Sequence, residues 1–145
     1  MTIRKPYIFI GLMIAFGLSE LMAHASEADE ATKITFGQPI QIPGQVLPAG
    51  TYLFVQAEPN EDLNLIQIFN GDHSVLYATL QTVPVERREA TAKTTITLAE
   101  PEAGKPDVLL KWFYPGRLIG HELVYPKQQE QEMSQARQKT FVGNQ

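Results

Sequence analysis

The side chains able to do chemistry gather in one stretch, residues 112–127, which reads Trp-Phe-Tyr-Pro-Gly-Arg-Leu-Ile-Gly-His-Glu-Leu-Val-Tyr-Pro-Lys. It holds the single tryptophan, two of the five tyrosines (Tyr114 and Tyr125) and one of the three histidines, His121, beside Glu122. The chemistry such a set suits is binding. Trp112, Tyr114 and Tyr125 offer aromatic faces for stacking, and Arg117, His121 and Glu122 offer directed hydrogen bonds, a combination that fits a carbohydrate or a protein partner. The competing reading is structural, because a lone tryptophan in a β-domain usually packs the core and tyrosine hydroxyls tie strand ends together. For Trp112 the core reading is preferred. For Tyr114 and Arg117, beside a Pro-Gly turn, exposure and burial are equally expected.

Metal binding and catalysis have thinner support. His121 and Glu122 are neighbours, and neighbours on a strand point to opposite faces, so they do not share one ion. Asp72-His73 falls in a turn, and the chain has neither a cysteine nor a His-x-x-x-His pair. No metal and no cofactor is expected. Beyond residue 25 the serines are Ser26, Ser74 and Ser134, none inside Gly-x-Ser-x-Gly, so no nucleophile is assigned. A carboxylate hydrolase needs acids flanking a cleft, and Glu122 is the one acid in an aromatic setting. The enzymatic alternative is therefore a hydrolase using Glu122 and His121, with no residue designated catalytic.

The N-terminus has the pattern of a secretory signal. Arg4 and Lys5 form a positive start, residues 7–19 an apolar run of 13, and Ala23-His24-Ala25 a small-x-small cleavage site. Cleavage there starts the mature chain at Ser26, in the periplasm or outside the cell. An uncleaved anchor is the alternative, but Glu20 ends the apolar run short of the roughly 20 residues a spanning helix needs. Removing residues 1–25 takes two basic residues and one acidic residue, leaving ten against fifteen and a net charge of −5. That balance argues against nucleic acid, which needs a basic face. Without cysteine the compartment's disulfides are denied to it, so 120 residues must be held by one hydrophobic core.

The elements that must position the aromatic stretch are short strands. Residues 26–32 are acidic and aperiodic, a disordered lead-in. Residues 33–36 and 39–42 are strand candidates ending at Pro43-Gly44. Pro48-Ala49-Gly50 turns the chain into a strand over 51–57 with Tyr52 and Phe54 on one face and Leu53 and Val55 on the other, which marks it as central. A polar loop over 58–62 follows. Residues 63–69 and 74–81 flank Asn70-Gly71-Asp72-His73, a hairpin signal, with Ile66, Ile68, Leu76, Ala78 and Leu80 facing inward. Residues 83–92, with Glu86-Arg87-Arg88-Glu89 at their centre, read as a solvated, self-neutralising loop. Residues 93–98 alternate as a strand with one wet face, and 108–113 as a strand with Val108, Leu110 and Trp112 on one face. Pro115-Gly116 turns the chain back into 121–125. The polar stretch 127–139 has only Met133 and Ala136 as an apolar stripe, so a frayed helix or a disordered tail is expected.

Three blocks carry a resemblance. Pro43-Gly44-Gln45-Val46-Leu47-Pro48-Ala49-Gly50-Thr51-Tyr52, then Ile68-Phe69-Asn70, then Trp112-Phe113-Tyr114-Pro115-Gly116 with Gly120-His121-Glu122 and Tyr125-Pro126-Lys127 resemble a family of small, secreted, uncharacterised bacterial β-rich proteins. The resemblance spans roughly residues 33–127. It implies a secreted β-domain and carries over no activity and no functional residue.

The sequence thus predicts an all-β chain: a signal peptide over 1–25, a lead-in over 26–32, a single antiparallel β-sandwich over 33–127, and a weak helix or tail over 128–145. A closed barrel is the alternative. The function expected is a secreted, non-catalytic binding or interaction module of unknown ligand, with no membrane span in the mature chain. The alternative is an envelope assembly protein that pairs through strand edges or its tail.

Overall fold

The computed structural model describes the backbone of residues 23–26 and all atoms of 31–56 and 64–143. Residues 1–22 of the leader, 27–30 of the acidic lead-in and the loop expected over 58–62 lie outside those residues, while Ala31 and Thr32, expected to be disordered, begin a strand instead, with Thr32 buried.

Strand formation follows the alternation of β-branched and aromatic residues. The first layer is built from β1 (Ala23–Ser26), β2 (Ala31–Phe36), β5 (Gly50–Gln56), β6 (Leu65–Asn70) and the first half of β7 (Leu76–Glu86), with β3 (Ile40–Ile42) and β4 (Gln45–Leu47) inserted between β2 and β5. Its order is β1-β2-β5-β6-β7, all antiparallel. The second layer contains β8 (Thr95–Glu100), β9 (Asp107–Phe113), β10 (Ile119–Leu123) and, after the helix α1 (Lys127–Met133), β11 (Arg137–Val142). There β10 joins β7 to β9, β8 and β11 follow beyond β9, and the β3–β4 hairpin adds to β9 through a parallel pairing.

One strand, β7, belongs to both layers. Residues 76–81 pair with β6, whereas 82–86 pair with β10. The result is one mixed sheet bent into a sandwich-like pair of layers and not closed into a barrel. Phe54 of the first layer meets Trp112 of the second edge to face, centroids 5.8 Å apart, and the core around them includes Ile34, Ile66, Ile68, Ile96, Leu98 and Leu109.

The hairpin forms where Asn-Gly predicts it, but the left-handed residue is His73 (φ 68°), not Gly71. Asn70 organises the turn: its carbonyl accepts from the His73 N–H, and its side-chain Oδ1 accepts from the N–H groups of Ser74 and Val75 at 2.8 Å each. Ile66 and Ile68 face inward as expected, and Ala78 and Leu80 pack against the core. Leu76 does not. A bulge at Tyr77 shifts the register after Ile68↔Ala78, so Leu76 pairs with Phe69 on the outer face and is 48% exposed.

Four further expectations are corrected. Residues 83–86 are strand, not loop; Val83 and Val85 keep the alternation, and Pro84 is tolerated in a strand that is changing partners. β8 has no wet face: Thr95 and Thr97 are buried, Thr97 against Thr140 of β11 and Thr95 beneath Arg87 and Thr91. In β9, Leu98 pairs with Leu109 and Thr97 with Lys111, so Leu110 is a bulged extra residue. Leu109 and Trp112, not Leu110 and Trp112, therefore share the core face. Finally, the C-terminal stretch does contain a short helix, but residues 137–142 form β11 along β8, extending the domain beyond 127 to Val142.

Candidate functional site

The aromatic stretch is core. Trp112 is 0% exposed, held between Ile96 of β8 and His121 of β10 in the register. Its indole stacks on the His121 ring at 5.2 Å and 21°, and its N–H donates to Thr94 Oγ1 at 3.2 Å. Tyr125 is buried with its hydroxyl donating to the Leu109 carbonyl at 2.6 Å, which ties the chain after β10 to β9, and burial raises its pKa above the ordinary tyrosine value. Tyr114 is buried as well, at the start of a turn in which the Arg117 N–H donates to its carbonyl and Gly116 takes φ 79°. That glycine φ is the one a type II turn demands after proline. Arg117 is exposed, and Glu122 is half-buried on the face of β10 opposite His121.

The surface platform of Trp112, Tyr114 and Tyr125 is thus not formed. Their apolar area is what closes the second layer, and turning them outward would open the core. The structure brings Trp112 and His121 into contact and leaves Arg117 and Glu122 apart from them. Because His121 and Glu122 occupy opposite faces, they form no acid–base pair. Among the described residues no group of three or more histidines or acids is placed to hold a metal ion, and no helix is long and apolar enough to cross a membrane.

His121 is buried with its Nδ1 at 3.1 Å from Thr82 Oγ1. The Thr82 hydroxyl also donates to the Asn64 carbonyl at 2.7 Å. A hydroxyl has one proton to give, so it accepts from His121, which fixes the neutral imidazole with hydrogen on Nδ1. Burial pushes its pKa down to about 4. This is a packing histidine.

Gly120 completes the arrangement. A Cβ there would lie 2.5 Å from Phe113 Cδ2 and 2.7 Å from the Trp112 carbonyl oxygen, so β10 can approach β9 this closely only with glycine. Gly120→Ala is expected to destabilise the protein by about 1–3 kcal/mol through overpacking, read from the midpoint of urea unfolding; an unchanged midpoint would show that the strands can part.

The residue that sequence reasoning missed is Arg87, placed in a solvated loop. Its guanidinium lies 4.5 Å from the Phe113 ring centroid, with Nε donating to the Arg117 carbonyl at 2.9 Å and Nη1 to the Thr91 and Thr95 hydroxyls at 3.2 Å each. Burial lowers its pKa. Arg87 staples the loop before β8 to the 114–117 turn, and no local sequence signal separates it from Arg88. A planar fork makes these contacts and an ammonium does not. Arg87→Lys is accordingly expected to cost about 1–2 kcal/mol in denaturant unfolding, while Arg88→Lys leaves stability unchanged.

What the surface does offer is a cleft of about 760 Å³ between α1, the β3–β4 hairpin and the β8–β9 loop. Val108, Met133 and Val46 supply apolar lining, and Gln41, Gln135 and Glu132 supply polar groups. Met133, one of the two apolar residues legible in the polar tail, is the buried anchor of α1. Glu100 and Arg137 on one wall belong to an ion network that continues behind it: Glu100 accepts from Arg137 and Lys139 at 2.8 Å each, and Lys139 reaches Asp107 at 3.0 Å. Hydrogen bonds from Lys139 and then Arg137 hold the Glu100 carboxyl below its usual pKa. A smaller hollow of about 240 Å³ on the Tyr125 side of α1 is lined by Glu122, Lys111 and Glu130.

Compared with protein-family models, curated proteins and solved structures, the chain has no match. Its function must be argued from its own geometry.

Proposed function

We propose that this protein is an exported, non-catalytic binding module whose ligand site is the cleft beneath α1. The observation that carries the reading is the cleft itself: about 760 Å³ with an apolar lining and a polar rim, within the roughly 300–1,000 Å³ of ligand sites. The site draws on the strands holding Gln41 and Val108 and on stretches that a sequence reading leaves as loop and tail, 100–106 and 129–137. No aromatic residue is among those lining it, so it lacks the stacking surface a sugar would use. The Gln135 side-chain amide, both donor and acceptor, and the Gln41 side-chain oxygen, whose Nε2 donates to the Ile42 and Gln45 carbonyls, suit backbone groups of a peptide, and we assign a partner protein's extended peptide as the ligand. Export rests on the charged start, apolar run and Ala23-His24-Ala25 of the leader.

The test is selection of binders from a random peptide library on the purified exported protein, with a glycan array beside it. Peptides whose affinity falls at least tenfold with Glu132→Arg or Lys105→Glu, both exposed rim positions, support the cleft. Peptides indifferent to both changes, or binding of glycans alone, would sink the reading.

A further inference from the structure

The residues of the expected cleavage motif are themselves a strand. Ala23, His24 and Ala25 lie in β1 opposite Ile34, Lys33 and Thr32 of β2, and Ser26 lies opposite Ala31. Cleavage after Ala25 removes three of the four residues of β1 and leaves β2 as the edge of the first layer. An open edge is a row of unpaired backbone N–H and C=O groups, a template for another strand. We propose that leader cleavage uncovers β2 and that the mature protein dimerises by antiparallel pairing of the β2 strands of two copies. The proposal rests on the export reading above and is independent of the cleft.

Three features favour this edge and this occupant. The other two ends of the sheet are poorer templates: β4 has three residues, and β11 carries Arg137 and Lys139, both engaged with Glu100. By contrast β2 has six residues, Ala-Thr-Lys-Ile-Thr-Phe, with one charge and no proline. Its inward side chains Thr32, Ile34 and Phe36 are at most 1% exposed, so no inward-pointing charge guards it as in many natural edges.

The strand is also self-complementary. Directly opposed residues in an antiparallel pair share a face, so a register that keeps buried residues together centres on Ile34. It sets Thr32 opposite Phe36, and Lys33 opposite Thr35, of the other copy. No like charges stand opposite one another, and the two-fold pairing uses the same edge on both copies and therefore stops at two. The remnant of β1 does not refill the edge, since a chain starting at Ser26 keeps one of the four β1 pairs.

The absence of cysteine makes disulfide trapping clean. The full chain carrying Lys33→Cys and the full chain carrying Thr35→Cys are produced together and exported into an oxidising envelope. The expected major species is the mixed disulfide dimer of processed chains. It disappears when Ala25→Val blocks cleavage and β1 stays in place, and light scattering of the unsubstituted processed protein gives the mass of two copies. Three results would overturn the proposal: no mixed disulfide in protein whose N-terminus is Ser26, equal trapping in the uncleaved chain, or a monomer by light scattering. N-terminal sequencing of the same band separates a failed pairing from a failed leader reading, because a start other than Ser26 refutes the latter first. The cleft reading survives either failure.

Discussion

Replacing Trp112 with alanine is expected to cost the fold about 3–5 kcal/mol, the range for removing a large buried aromatic side chain. The indole is wholly enclosed. Its loss deletes the edge contact to Phe54 that links the two layers, along with the stack on His121 and the hydrogen bond to Thr94. Thr94 also donates to the Phe113 carbonyl at 3.2 Å, so it keeps one partner and the cost is dominated by the cavity. Since total stability of a domain is about 5–15 kcal/mol, the variant sits near the limit of folding. Urea unfolding checks it, with Trp112→Phe as the milder change. The native emission of the same residue provides a second test, because it is the single tryptophan: a blue-shifted spectrum resistant to acrylamide is expected. A loss below about 1 kcal/mol, or red-shifted and readily quenched emission, would mean that Trp112 faces water.

The second large effect is acid sensitivity. His121 has a folded-state pKa of about 4, against 6.5 for the free side chain, and the cause is burial. As pH falls, the unfolded chain takes up this proton before the folded one, so the unfolded state binds more protons between 6.5 and about 4 and stability declines across that window. Above pH 6.5 the full stability is present; below about 4 the loss is complete. Its size follows from the gap between the two values and is about 3 kcal/mol. The proton would have to enter between the Trp112 ring and Thr82, where no described carboxylate stands to receive the charge. Carboxyls held low, exposed Asp72 by its hydrogen bonds from Ser74 and half-buried Glu100 by Lys139 and Arg137, lose stability in the same direction but at lower pH. The discriminating comparison is His121→Phe, which keeps an aromatic ring against Trp112 and removes the titration. Unfolding at pH 7 and pH 4 should show the parent losing about 3 kcal/mol more than the variant over that interval. Parallel losses would place the acid sensitivity elsewhere.

How much of this was legible depends on whether the signal was local. The Asn70–His73 hairpin was, because turn chemistry and the two flanking strands are adjacent in sequence. The central position of β5 was, because Leu53 and Val55 are half-buried on the face opposite Tyr52 and Phe54. The face of Leu110 was not, because strict alternation assumes an unbroken ladder and a single bulge resets it. The burial of Thr95 and Thr97 was not, because it comes from β11 and from Arg87, one some 40 residues further on and the other across a loop. β11 itself, Arg-Gln-Lys-Thr-Phe-Val, reads as a polar tail on propensity; it becomes a strand because β8 offers it an edge and Glu100 offers its cations a partner.

By itself the sequence determined the class of fold. Alternating β-branched residues and Pro-Gly or Asn-Gly turns at short intervals specify short strands in an all-β fold, and the choice of open layers over a closed barrel came from the strand pairing. It also determined which side chains were candidates: Trp112, Tyr114, Arg117, His121, Glu122 and Tyr125 are the residues one would choose. Only the tertiary structure decided what they do. Residue type says that an aromatic ring must be covered, by a ligand or by the protein, and composition does not say which. Here β8 and β10 on either side of β9, with Phe54 from the opposite layer, cover Trp112 completely. The open concave surface falls instead beneath α1, where residues distant in the chain meet and no single stretch could have announced it.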